Sequence, residues 1–203
     1  MDTFKDRSQR NLWITLGIVA VLAIVIVWRA PEEQTIGEGI RTVYVHVGLT
    51  WAGEAGLIVA GLAGLRAALA GRRLWQAWAH TIAWVAFAVL AAGTAVSLLA
   101  EIVNWGGIAW LEPRTVAALQ LLAVALIVQI VNSWWLPYRV RGLLNAALAV
   151  YLVWQIAVTP LVLHPRNPVS ASSSLVIQAT FYSLFALFAI AEAALIWHWR
   201  PRP

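Results

Sequence analysis

The sequence contains no cysteine and a single methionine in 203 residues. Without a thiol there is no disulfide, no thiolate metal site and no cysteine nucleophile. Charge is scarce as well: Asp, Glu, Lys and Arg together make up 11% of the residues, against about 25% in soluble domains. Also missing are H-E-x-x-H, G-x-x-x-x-G-K-[ST], G-x-S-x-G and any EF-hand pattern, which weakens every hydrolase and nucleotidase reading.

What the chain has instead is apolar surface. Hydrophobic residues reach 62% and the mean hydropathy is +0.77, more than one soluble core of this length can hide. A hydrocarbon layer of about 30 Å takes about 20 helical residues. Six runs of that size stand at about 12–28, 46–68, 77–100, 115–136, 143–163 and 175–197. They predict an all-α, polytopic membrane protein with six transmembrane helices, forming a single domain over 1–203. The first run follows a basic start but is too long for a signal peptide and has no A-x-A site before Arg29, so it reads as an uncleaved anchor.

Basic residues set the expected orientation. With both termini cytoplasmic, only Arg29, Arg41, Arg114 and Arg166 of the 14 Lys and Arg lie outside, a positive-inside bias. The net charge of +5 and pI of about 10.4 therefore read as membrane orientation rather than nucleic-acid binding. Along the second span Ala52, Gly56, Ala60, Gly64 and Ala68 form a small-residue ridge, suited to close helix packing inside the bundle or, alternatively, between copies.

The topology sorts the four histidines. His46 opens the second span and His164 closes the fifth, so both are expected at the outer membrane face, with His80 and His198 near the inner one. Two facing imidazoles can ligate a planar heme iron from opposite sides; two interfacial histidines can equally be polar anchors. The segment from Glu101 to Thr115 shares that outer face and carries Trp105, Gly106, Gly107, Trp110, Glu112 and Arg114. Its tryptophans suit the face of a flat ligand, and Arg114 or Arg41 suits carboxylates; an aromatic-belt loop is the alternative. Glu54 and Glu192 are intramembrane carboxylates, the first read either as part of the outer site or as a helix contact, the second as snorkelling or pairing with His198 or Arg200. The serines of 170–174 suit a cap for the sixth helix.

Tyr44, His46 and Trp51, the Trp105 to Thr115 loop, and His164 followed by Pro165 together resemble the cytochrome c assembly family of heme-handling membrane proteins. The resemblance covers roughly 36–180 and, in its six-span length, points to the system I maturation branch. It implies a carrier and presenter in the prokaryotic plasma (inner) membrane rather than an enzyme, with heme on the periplasmic side. His46 and His164 would be axial ligands, and Trp51, Trp105, Trp110, Arg114 and Arg41 would complete the cofactor site. With no cysteine the heme would be non-covalent and b-type. Implied partners are a periplasmic heme chaperone and the ABC-type ATPase and membrane subunits of a maturation complex, which would supply any ATP hydrolysis.

The family motif runs approximately W-G-x-x-W-x-W-D-x-R. In that register this chain has Ala109 and Leu111 where tryptophans are expected and Glu112 in place of aspartate, with Trp110 one position out of step. The histidine pair is kept while the tryptophan platform is reduced. A second reading is therefore a divergent member acting as a structural subunit of a larger respiratory or transport complex, with or without heme. A solute permease would need paired interrupted helices, which the sequence does not suggest.

Overall fold

In the computed structural model, residues 2–163 and 172–201 are described, with side chains from Arg7 onward. They form six helices: α1 (Asp2–Arg29), α2 (Ile40–Ala70), α3 (Arg73–Trp105), α4 (Pro113–Asn132), α5 (Tyr138–Val158) and α6 (Leu175–His198). All six are long and apolar enough to cross a membrane, and no strand occurs among the described residues. The chain is an all-helical integral membrane protein. Leu, Ile, Val and Trp side chains remain exposed on every helix, as expected where the surrounding medium is hydrocarbon.

The helix ends follow local chemistry. Gly71 and Gly106 take left-handed conformations at φ +61° and +77° and stop α2 and α3, the conformation a glycine adopts without steric cost. Glu112 caps α4, accepting the Thr115 N–H, and Pro113 fills the first helical position, where its missing N–H costs nothing. Two helices end earlier than expected. The fifth helix ends at Val158 rather than 163, because Pro160 cannot continue it and disfavours the helical region at Thr159. The fourth ends at Asn132, leaving 133–136 outside any helix ahead of Pro137. At the far end Ser174 caps α6 by accepting the Ile177 N–H at 3.4 Å; Ser170 and Ala171 lie outside the described residues.

α2 is the hub of the bundle, packed against α3, α5 and α6, while α1 lies chiefly along α6. Its small residues make this possible. A Cβ added at Gly53 would stand 2.6 Å from the Leu90 nitrogen of α3, and one at Gly64 would stand 2.6 Å from the Gly142 carbonyl oxygen of α5. The ridge of Ala52, Gly56, Ala60 and Gly64 is accordingly buried within the bundle, close packing being what joins helices in lipid. Between α4 and α5 the glue is polar: Asn145 Oδ1 accepts from Gln129 Nε2 (3.2 Å) and Asn132 Nδ2 (3.0 Å).

Glu192 neither snorkels nor reaches His198 or Arg200. It is buried on α6 facing Gly56 and Ala86, the absent side chain of Gly56 making the space for its carboxyl. His198 instead places Nδ1 3.4 Å from Ser8 Oγ, which joins the start of α1 to the end of α6. That end of the bundle also carries the α2–α3 turn at Gly71 and the 133–137 segment. The opposite end holds the start of α2, the end of α3 and the loop leading to α4.

Candidate functional site

His46 does not open its helix. α2 begins at Ile40, so six residues precede His46 and set it about 9 Å along the axis at 1.5 Å per residue. Its ring turns toward α3: Nδ1 is 3.2 Å from the Gly93 carbonyl oxygen and 3.3 Å from Thr50 Oγ1. A carbonyl only accepts, so the bond to Gly93 puts the proton on Nδ1 and, in the neutral ring, the lone pair on Nε2. A backbone carbonyl on one imidazole nitrogen is the usual arrangement for a histidine whose other nitrogen is a metal ligand. Gly93 permits this, because a Cβ there would sit 2.8 Å from both the nitrogen and the hydroxyl of Thr50.

Trp51 is five residues further along α2 and points elsewhere. At 100° per residue it lies about 140° around the helix from His46, and its ring packs against Tyr182 and Phe185 of α6 at centroid distances of 6.3 and 6.1 Å. His46 and Trp51 thus address different neighbours. His164 lies outside the described residues, so of the two histidines only His46 is placed.

The tryptophan-bearing loop is held by two acids. Glu101, buried near the end of α3, accepts the Ala109 N–H at 2.8 Å and the Thr115 hydroxyl. Glu112 accepts the Thr115 N–H at 2.8 Å. Together they close the segment between α3 and α4 and leave Trp105 and Trp110 substantially exposed at its two ends. Asn104 fastens the same region to α2, its Nδ2 donating to the Gly39 carbonyl (3.3 Å) and to Thr42 Oγ1 (3.4 Å) as well as to its own helix. Sequence reasoning missed Glu101 and Asn104 as organisers of the site; the available signal was a carboxylate and an amide in the last turns of an apolar helix, both costly unless paired.

Two guanidinium groups stand at this end. Arg41 on α2 lies 3.5 Å from Glu38, and Arg114 stands in the first turn of α4. The Nε of each arginine is buried without a hydrogen-bond partner. An unsatisfied N–H beside a charged fork is a ready donor to a carboxylate. Outside the spans, Glu33 accepts the N–H groups of Thr35 (2.7 Å) and Ile36 (3.1 Å); these bonds, Thr35 first, hold its pKa below the ordinary carboxylate value.

The residues tested against heme fit in part. His46 turns Nδ1 to a backbone carbonyl, Arg41 and Arg114 bring guanidinium groups of the kind that suits carboxylates, and Trp105 and Trp110 flank the same end of the bundle. Among the described residues no cluster of three or more His, Cys, Asp or Glu is arranged to hold a bare metal ion, and an imidazole-ligated heme does not require one. In comparisons with protein-family models and with curated proteins, the chain matched neither.

Proposed function

We propose that this protein binds non-covalent, b-type heme at the outer membrane face and presents it for cytochrome c maturation, as a subunit resembling heme exporter protein C. The observation that carries the reading is the His46 Nδ1 contact with the Gly93 carbonyl, which fixes the ring against α3 and assigns its proton to Nδ1. His164 would be the second residue to hold the heme iron. Trp105 and Trp110 would offer the porphyrin an aromatic surface, and Arg114 and Arg41 would meet its propionates. Trp51, packed on α6, supports the site from within the bundle.

Heme would supply the redox-active iron; the protein supplies position. The carbonyl of Gly93 fixes the imidazole, the Glu101 and Glu112 bonds hold the loop, and the arginines neutralise carboxylates that bilayer burial would otherwise penalise. No bond-making step is assigned to the chain itself, and ATP hydrolysis belongs to an ABC-type partner. Transfer goes to a periplasmic heme chaperone, with the site on the periplasmic side of the prokaryotic inner membrane.

The second reading is a structural subunit of a larger respiratory or transport complex. It is favoured by the same bond seen differently, since His46 to Gly93 also ties α2 to α3. A visible spectrum separates the two. Purified protein reconstituted with hemin is expected to give a saturable Soret shift that is lost in His46→Ala and in His164→Ala. The absence of a saturable shift overturns heme binding. Heme bound without a chaperone that co-purifies, or with association indifferent to Trp105→Ala, overturns presentation.

A further inference from the structure

The end of the bundle opposite His46 holds a built cleft that the proposed heme function does not use. Two adjoining cavities, of about 840 and 250 Å³, share Arg73, Tyr138 and Arg141 in their walls. The larger adds Arg139, Trp134 and Trp135. The smaller runs inward to Gln76 and His80. Three arginines thus converge between the start of α3 and the start of α5, and none has a carboxylate within ion-pair distance among the described residues.

Gln76 identifies what the cleft is built for. Its side chain is 2% exposed, and neither its Nε2 nor its Oε1 has a hydrogen-bond partner. The Nε of Arg141 and the Nδ1 of His80 are buried and unpartnered in the same place. A buried polar atom left unsatisfied is costly, and here four such atoms belong to three side chains that line one cavity. An aromatic belt accounts for Trp134 and Trp135 but not for a buried primary amide.

Guanidinium forks and an amide N–H describe a receptor for a phosphate anion. The exposed Trp134 and Trp135 at the mouth extend it with apolar surface at the level where a headgroup meets acyl chains. We propose that this cleft binds the phosphodiester of an anionic membrane lipid of the phosphatidylglycerol type. Arg73 and Arg141 take the phosphate, the Gln76 amide takes a headgroup hydroxyl, and the indoles of Trp134 and Trp135 lie along the first acyl carbons. The site locks α3 to α5 through a lipid, which a phosphate free in solution would not do with the same gain.

The test uses delipidated full-length protein in a neutral detergent, read by native mass spectrometry and by thermal midpoint. Dioleoyl phosphatidylglycerol, dioleoyl phosphatidylcholine and inorganic phosphate are compared. Phosphatidylglycerol is expected to be retained and to raise the midpoint, with phosphatidylcholine released and phosphate giving little shift. Replacing both arginines, R73Q with R141Q, is expected to lower retention about thirty-fold, whereas R10Q, on the exposed start of α1, leaves it unchanged. Equal retention of the two lipids, full retention in the double variant, or an equal midpoint shift from inorganic phosphate overturns the proposal. Should the double variant fail to fold, Q76E places a carboxylate in the same wall with every arginine kept; undiminished phosphatidylglycerol binding in that variant overturns it too.

Discussion

The carboxylate of Glu101 accepts the N–H of Ala109 at 2.8 Å, so the loop that leaves α3 at Gly106 is folded back onto the helix it has just left. The two partners are eight positions apart in sequence, and between them lie Trp105 and both glycines of the turn. The position of Trp110, next to Ala109, therefore depends on the Glu101 carboxylate.

Replacing Glu101 by alanine leaves the Ala109 N–H and the Thr115 hydroxyl without their acceptor. The expected loss is about 1–3 kcal/mol for each buried group left unsatisfied, with faster proteolysis between 106 and 112. Glu101→Gln keeps one carbonyl acceptor and is expected to recover part of the loss. Thermal unfolding and limited proteolysis of the three proteins measure this; equal cleavage rates would contradict the clamp.

Gly93→Ala is expected to separate α2 from α3 locally, since its methyl meets the Thr50 nitrogen and hydroxyl at 2.8 Å. The backbone nitrogen cannot give way, so the overpacking cost is about 1–3 kcal/mol. The carbonyl that holds His46 moves with it. On the proposed heme-binding reading, hemin affinity should fall in this variant although none of the proposed ligands has changed, as titration of the Soret band would show.

Gly64→Ala should destabilise by a similar amount, about 1–3 kcal/mol, because the added methyl approaches the Gly142 carbonyl oxygen at 2.6 Å. A variant at exposed Gly107, where an added Cβ meets nothing within 4 Å, supplies the comparison. The thermal midpoint of G64A is expected to drop well below that of G107A. An oligomeric state changed by G64A with no loss of stability would instead place the ridge between copies.

Asn145→Ala removes the one acceptor shared by Gln129 and Asn132. Hydrogen bonds of this kind between membrane helices are worth about 0.6 kcal/mol each on average, up to about 1.7, so the combined effect should be modest. Chemical unfolding in mixed micelles measures it. A loss confined to Asn145→Ala and absent in Asn145→Asp, which keeps acceptors, would identify the hydrogen bonds as the cause.

Acid should loosen the turn between α1 and α2. The Glu33 pKa is lowered by the N–H bonds from Thr35 and Ile36, so the ordering it gives is complete above the ordinary glutamate pKa and is lost as pH falls through the lowered folded value. Amide exchange at Thr35 and Ile36, corrected for its intrinsic pH dependence, should show protection fading across that interval in the native chain. In Glu33→Gln the pH-dependent step disappears.

Six spans were legible because lipid imposes a length and a composition on each helix, and both are written in consecutive residues. Helix ends were legible only where glycine or proline forces them; Pro160 was overlooked inside an apolar run, and α5 is shorter for it. The ridge on α2 was visible as spacing, but its partners in α3 and α5 were not. Glu192 shows the same limit. Its neighbours in sequence suggested an ion pair near the helix end, while the partner it meets is Gly56 on another helix.

For the candidate site, residue type was in the sequence and direction was not. His46, Trp51, Trp105, Trp110, Arg41 and Arg114 could be placed toward one end of the bundle by topology alone. Only the rotation of α2 separates His46, turned to Gly93, from Trp51, turned to α6, and only the α2–α3 contact selects the imidazole tautomer. The sequence determined that this chain lives in a membrane as six helices, since hydrophobic length acts locally. Which polar atoms meet across those helices was decided by packing, since close approach depends on glycines and carbonyls far apart along the chain.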